Sequence, residues 1–165
     1  MASILSFIVL FFVAVAGLIV LIGQMGLLRG RQPKDLGVVV GKLKPPALTP
    51  NSISSQAYLF PHHPQRQFSQ IDPLQCAGPA DEAIPQLAAL LDEQKHIRLV
   101  EHDADYLYAQ CRSRWLGLVD DLEFWLDRSA NKVHVRSASR LGRKDFGRNR
   151  ARVEKIRAQF ERTEP

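Results

Sequence analysis

The first 28 residues of the chain contain no charged side chain, and all 165 residues contain only two cysteines. The first absence excludes a water-facing start. A hydrocarbon layer about 30 Å thick takes about 20 apolar residues at about 1.5 Å each. Residues 3–23 supply that length almost wholly from Ile, Leu, Val, Phe, Ala and Gly. The second absence excludes a disulfide scaffold and any cysteine-built metal or redox centre, because Cys76 and Cys111 share no ligand-like spacing. Cys111 alternates with Ala109 and Leu107 and reads as a small buried side chain. Cys76 falls in a loop-like stretch as a free thiol, with a Cys76–Cys111 disulfide as the weaker alternative.

Other absences narrow the chemistry further. No glycine-rich phosphate cradle, nucleophile elbow or internal repeat is present. The five histidines do not assemble a metal site. His62 and His63 lie between prolines, while His96, His102 and His134 fall on separate segments without ligand spacing. No cofactor and no metal are therefore expected. The basic C-terminal stretch lacks interleaved aromatics, which argues against nucleic acid as a partner.

What is there begins with the anchor. Residues 1–28 read as a transmembrane helix followed by a basic collar, Arg29, Arg31 and Lys34. A cleaved signal peptide is the competing reading, because Ala14-Val15-Ala16 before Gly17 resembles a small-residue cleavage site. Against it, no basic stretch precedes the apolar run, and the run continues through Ile22. The expectation is a single-pass protein of the cell (inner) membrane with the bilayer as its partner. The collar would attract anionic lipid headgroups at about 1 kcal/mol per basic side chain. All the flanking cations lie after the helix, which favours a cytoplasmic domain.

Charge is unevenly spread behind the anchor. Residues 29–44 carry a net +4, residues 45–127 a net −7 and residues 128–165 a net +8, within a total of +5. An acidic middle and a basic end suggest internal complementarity. Residues 29–79 hold eight of the ten prolines, which excludes long helices and favours an extended segment laid against the domain. The Val-Val-Val run between Gly37 and Gly41 reads as a brief edge strand.

Residues 80–165 read as the α+β domain. Ile84, Leu87, Ala88 and Leu91 recur at helical spacing over about 81–94, with Asp81 and Glu82 suited to the helix start. Four strands follow over 97–101, 106–114, 118–127 and 132–139, the last three with period-two alternation. A second helix over 148–162 carries Val153, Ile156 and Phe160 as its apolar stripe. The expected architecture is two-layer: a four-stranded antiparallel meander with a helix before and a helix after on one face.

The polar face of that sheet supplies the site candidates. Centring the 128–131 loop pairs Asp127 with Lys132, Trp125 with His134, and Glu123 with Arg136. A turn over 115–120 would set Arg114 against Asp121 and Arg112 against Glu123. Such cross-strand pairs contribute about 0.2–1 kcal/mol each and reject slipped registers. Asp120 shares the parity of Leu122, Phe124 and Leu126 and so points to the apolar side. There it would cap the turn or hold Arg140 or Arg143. A sharper alternative makes Asp120, Asp121 and Glu123 a cation site or an acid–base pair, although adjacent strand residues face opposite ways.

Four segments carry a family resemblance: Pro50 to Ala57, Val119 to Phe124, Arg136 to Arg140, and Asn149 to Glu154. Over about residues 36–160 the chain resembles the bacterial domain-of-unknown-function 1499 family. That resemblance implies membrane-anchored or exported envelope proteins, with related sequences in plastids and no established activity. It also implies a cysteine on either side of the Pro-Asn-Ser segment. Thr49 stands at the first of those places and no cysteine at the second, so the segment must be held by hydrogen bonds and packing. The family's cysteines suggest an oxidising, periplasmic compartment, opposite to the basic flank, and the side of the membrane stays open.

The functional expectation is a binding or structural role at the cell envelope, with an unknown envelope protein as a further partner. The candidate contact residues are Ser54, Ser55, Gln56, Asp120, Asp121, Glu123, Arg136, Ser137, Ser139, Arg140, Asn149 and Arg152. The alternative is a membrane-tethered hydrolase or metal-dependent enzyme built on Asp120, Asp121 and Glu123.

Overall fold

The computed structural model describes residues 3–162. Helix α1, Ile4–Gln24, starts at Ser3, whose Oγ accepts from the Ser6 N–H at 3.3 Å. It is long and apolar enough to cross a membrane, with a mean hydropathy of 3.1 over its central window. Gly23 is its only buried residue.

The proline-rich stretch then crosses the domain with little regular structure: strand β1 (Ser52–Ser54), a 3-10 turn (Ala57–Leu59), the single-turn helix α2 (Arg66–Ser69) and strand β2 (Leu74–Gln75). Helix α3 (Ala80–Asp92) leads into strands β3 (Ile97–His102), β4 (Tyr106–Arg112), β5 (Val119–Asp127) and β6 (Lys132–Ser139), and helix α4 (Arg148–Phe160) follows. One antiparallel sheet results, in the order β1-β6-β5-β4-β3, with β2 also on β6.

The four expected strands are therefore part of a six-stranded sheet, in which β3 is the outer edge on one side and β1 and β2 extend it beyond β6 on the other. The two added strands come from the proline-rich segment and pair with β6, which would otherwise present an open row of N–H and C=O groups. The Val-Val-Val run does not form an edge strand. Gly37 and Gly41 take positive φ on either side of it, and Val39 and Lys42 bond across a tight turn that leaves Val40 exposed.

Register follows the loops. β5 and β6 pair as the centred 128–131 loop requires, including Trp125 with His134 and Glu123 with Arg136. β4 and β5 do not take the expected register: Tyr108 faces Glu123 and Gln110 faces Asp121, and neither Arg112 nor Arg114 lies opposite an acid. The turn is the reason. The Gly117 N–H bonds Ser113 O, and Ser113 Oγ accepts from the Leu118 N–H, so pairing already begins at Arg112 with Val119.

Both sheet faces are covered. On one, Leu107, Leu122, Phe124, Val133 and Val135 meet Ile84, Leu87 and Leu91 of α3 and Val153, Ile156 and Phe160 of α4. Each fully buried Leu or Phe contributes about 1.5–3 kcal/mol over its exposed state. On the other, Leu36, Val38 and Leu43 of the proline-rich segment pack on Tyr106, Tyr108 and Trp125. The sheet thus lies between two helices and a strap, where a two-layer arrangement was expected. Leu43, Ile53, Ile71 and Leu74 are all buried, so the core draws on chain well before residue 80.

Candidate functional site

Alternation along β5 splits its acids between the two faces. Asp120 turns toward α4, where its Oδ2 meets Arg152 Nη2 at 2.5 Å. Arg152 Nη1 also donates to Asn149 Oδ1 at 2.9 Å and to Ser137 Oγ at 3.2 Å. Ser137 Oγ donates to Asn149 Oδ1 at 2.5 Å, and Asn149 Nδ2 donates to Asn51 O and Ser139 Oγ. Asn51 in turn donates to the Ser139 and Gly142 carbonyls. Asp145 completes the group by accepting the Gly147 and Asn149 N–H groups at the start of α4, which satisfies two donors the helix cannot.

On the strap side, Arg140 forks onto Asp121 through Nε and Nη2, with Nη2 to Oδ1 at 2.7 Å. The Tyr108 hydroxyl donates to the same carboxylate at 2.6 Å. Glu123 meets Arg136 Nη1 at 3.1 Å, and its other oxygen accepts from the Tyr106 hydroxyl and the Gly37 N–H. Arg136 Nε donates to Pro45 O. Ser55 Oγ accepts from the Val135 N–H and lies 3.1 Å from His134 Nδ1, whose ring stacks on Trp125. Gln56 bonds the strap twice, accepting from the Leu43 N–H and donating to Gly41 O, and Ser54 Oγ accepts from the Gln56 N–H.

The structure therefore brings the twelve sequence candidates together, but into two sets separated by the sheet. Asp120, Ser137, Ser139, Asn149 and Arg152 form one; Ser55, Gln56, Asp121, Glu123, Arg136 and Arg140 fasten the strap; Ser54 sits between them on β1. Asp120 pairs with Arg152 and not with Arg140 or Arg143, because α4 packs on its face. Arg140 belongs to Asp121 instead. Glu123 has Tyr106 where Arg112 was expected. The three acids do not converge, and each already holds an arginine. Among the described residues no group of three His, Cys, Asp or Glu could hold a metal ion.

Sequence reasoning missed Tyr106, Tyr108, Asn51 and Asp145. The tyrosines alternate on the polar face of β4, a pattern that would have marked them as carboxylate donors had the register been right. Asp145, four residues before Asn149, carried the spacing of a helix cap.

Electrostatics agree with a closed interior. Burial, reinforced by Glu123, raises the Tyr106 hydroxyl far above its ordinary 10.0. Burial and the bond to Asp121 push Tyr108 up to about 12. Burial pushes the Cys111 thiol up to about 11, which leaves it inert as a nucleophile. Burial also lowers His134. Arg140 is raised because Asp121 outweighs the cost of its burial. Both cysteines are free.

A family model described as a protein of unknown function (DUF1499) matches residues 42–160. The match includes the sheet, α3, α4 and the strap from Lys42 onward, and it leaves out α1 and the strap residues before Lys42. No curated protein and no solved structure matches the chain.

Proposed function

The chain belongs to the DUF1499 family of proteins of unknown function, and we propose that it is a single-pass membrane protein whose α+β domain serves a non-catalytic, binding or structural role at the cell envelope. The observation that carries this reading is the bare apolar surface of α1. Its phenylalanines, leucines and isoleucines lie uncovered by the domain, in a helix of bilayer length. The second support is that Asp120, Asp121 and Glu123 are each neutralised by an arginine within the fold. A hydrolase needs a free base or nucleophile, and these acids offer none.

The domain's use of its polar residues suits a rigid platform. They clamp the strap that leads out of the membrane, so the domain is held at a set height above the lipid. Its partners are the bilayer and, at the exposed surface, another envelope protein.

Membrane fractionation tests the reading. The full chain should remain in the pellet after alkaline carbonate, with an intact N-terminus by mass spectrometry. A mature chain beginning near Gly17 and recovered in the supernatant would overturn it. Purified protein should also show no thermal shift with Mg²⁺, Mn²⁺, Ca²⁺ or Zn²⁺; a saturable shift would revive the metal-dependent enzyme.

A further inference from the structure

We infer that the cleft at the foot of α1 binds the phosphate of an anionic lipid headgroup. The inference rests on α1 being a membrane anchor and adds the ligand chemistry. The cleft has a volume of about 390 Å³ and is lined by Arg29, Lys95, His96, Arg98, Arg112 and Arg114. No acidic side chain lines it. None of its five Arg and Lys residues joins an ion pair among the described residues. The contrast with the interior is sharp, because Arg136, Arg140 and Arg152 each hold a carboxylate.

These cations do not belong to one helix face. Arg29 follows α1, Lys95 precedes β3, Arg98 lies on β3, Arg112 ends β4 and Arg114 lies in the turn to β5. Separate pieces of chain have been folded so that like charges share one concavity. Like charges repel there unless an anion enters. Arginine forks match phosphate oxygens two at a time, and a lysine adds a point charge.

Position selects the source of the anion. Gln24, the last residue of α1, also lines the cleft. Its Nε2 donates to Arg114 O at 2.8 Å and to Trp115 O at 2.7 Å, while Arg112 Nη2 donates to Gln24 O at 3.0 Å. The cleft is thereby bonded to the point where the chain leaves the hydrocarbon. Headgroup phosphates lie within about 5–8 Å of that plane. Trp115, 65 % exposed with Arg114 over its ring, stands at the same level, as interfacial tryptophans do.

The test uses the full chain in neutral detergent micelles doped with phosphatidylglycerol, with phosphatidylcholine, or with inorganic phosphate added to the buffer. Phosphatidylglycerol should raise the unfolding midpoint saturably, and phosphatidylcholine should not. Lys95→Glu with Arg98→Glu, both at exposed positions, should weaken the phosphatidylglycerol response about tenfold or more, since two charge-assisted bonds are lost. Arg66→Glu with Lys155→Glu makes the same charge change at exposed positions outside the cleft and should leave the response nearly intact. Equal losses from both pairs would reduce the effect to general charge and overturn the site. A shift with inorganic phosphate but none with phosphatidylglycerol would overturn the lipid source. No shift from a chain that still resists carbonate would sink this inference alone, whereas carbonate extraction would remove the anchor reading with it.

Discussion

Glu123 and Arg136, 0 % and 4 % exposed, are buried well beyond the point where an ion pair is a surface ornament. Moving either ion out of water costs several kcal/mol, and the pair recovers this only because Tyr106, Gly37 and Pro45 satisfy the remaining atoms. Removing one partner strands the other. Glu123→Gln or Arg136→Met alone should destabilise the domain by about 3–5 kcal/mol, while the double variant should cost well below the sum of the two. Urea unfolding of the three variants measures this. Singles costing under about 1 kcal/mol would show that water reaches the pair.

His134 gives a second residue-scale outcome, with a sign that follows from its burial. Its folded pKa lies below the ordinary 6.5, so the native state keeps the ring neutral where Ser55 and Trp125 contact it. Below that value the unfolded chain binds a proton that the folded one refuses. Stability should therefore hold above about pH 6.5 and fall as pH drops through it, before the carboxylates begin to titrate. Unfolding midpoints measured one unit above and one unit below 6.5 should differ in wild type and converge in His134→Gln. An unchanged slope in the variant would show that His134 does not carry the effect.

At the scale of elements, the turn between β4 and β5 joins the domain to α1. Gly117 has φ +61°, and a Cβ there would lie 2.3 Å from Gly23 O. Gly117→Ala meets both penalties: about 1–2 kcal/mol for the left-handed backbone and a clash that pushes α1 off the turn. Gly142→Ala meets only the first, since its nearest neighbour would be 3.8 Å away. Limited proteolysis in membranes should show faster cleavage over residues 25–32 for the Gly117 variant and not for the Gly142 variant. Equal rates would mean that the joint is already loose.

This turn also marks where the sequence stopped being legible. The β5–β6 register could be read because a short loop and opposite charges, Glu123 with Arg136, pointed the same way. The β4–β5 register was misread because arginines looked like the natural partners of Asp121 and Glu123, whereas Tyr106 and Tyr108 hold them by hydroxyls that carry no charge to match. β1 and β2 are too short for any periodicity, and prolines around them hid strands that exist only because β6 needs partners. The stripes of α3 and α4 were plain, since burial repeats every three or four residues there. The candidate residues lie on or just after neighbouring elements, β1, β5, β6 and α4. Their sorting onto opposite faces follows the alternation of β5 and β6, and the prolines of residues 29–79 announce an extended segment against the domain but not which sheet face it covers.

For the molecule as a whole, the three charge blocks of the sequence resolve into one internal neutralisation and one residue of positive charge. The acidic middle meets the basic end through Asp120–Arg152, Asp121–Arg140 and Glu123–Arg136. Five cations that join no ion pair among the described residues, Arg29, Lys95, Arg98, Arg112 and Arg114, line the cleft at the exit of α1. The division of labour is clear in the contacts of that helix: Gly23 is its only buried residue, and its polar ties to the domain are those of Gln24. A chain starting at residue 26 should therefore fold without the membrane. It loses the four exposed hydrogen bonds between Gln24 and the domain, each worth about 1 kcal/mol or less, so its melting midpoint should fall by no more than about 10 °C. Circular dichroism melts and gel filtration of that fragment in plain buffer would check this. A fragment that aggregates or melts without cooperativity would mean that the apolar helix covers part of the domain's own core, and its bare surface would then no longer argue for lipid.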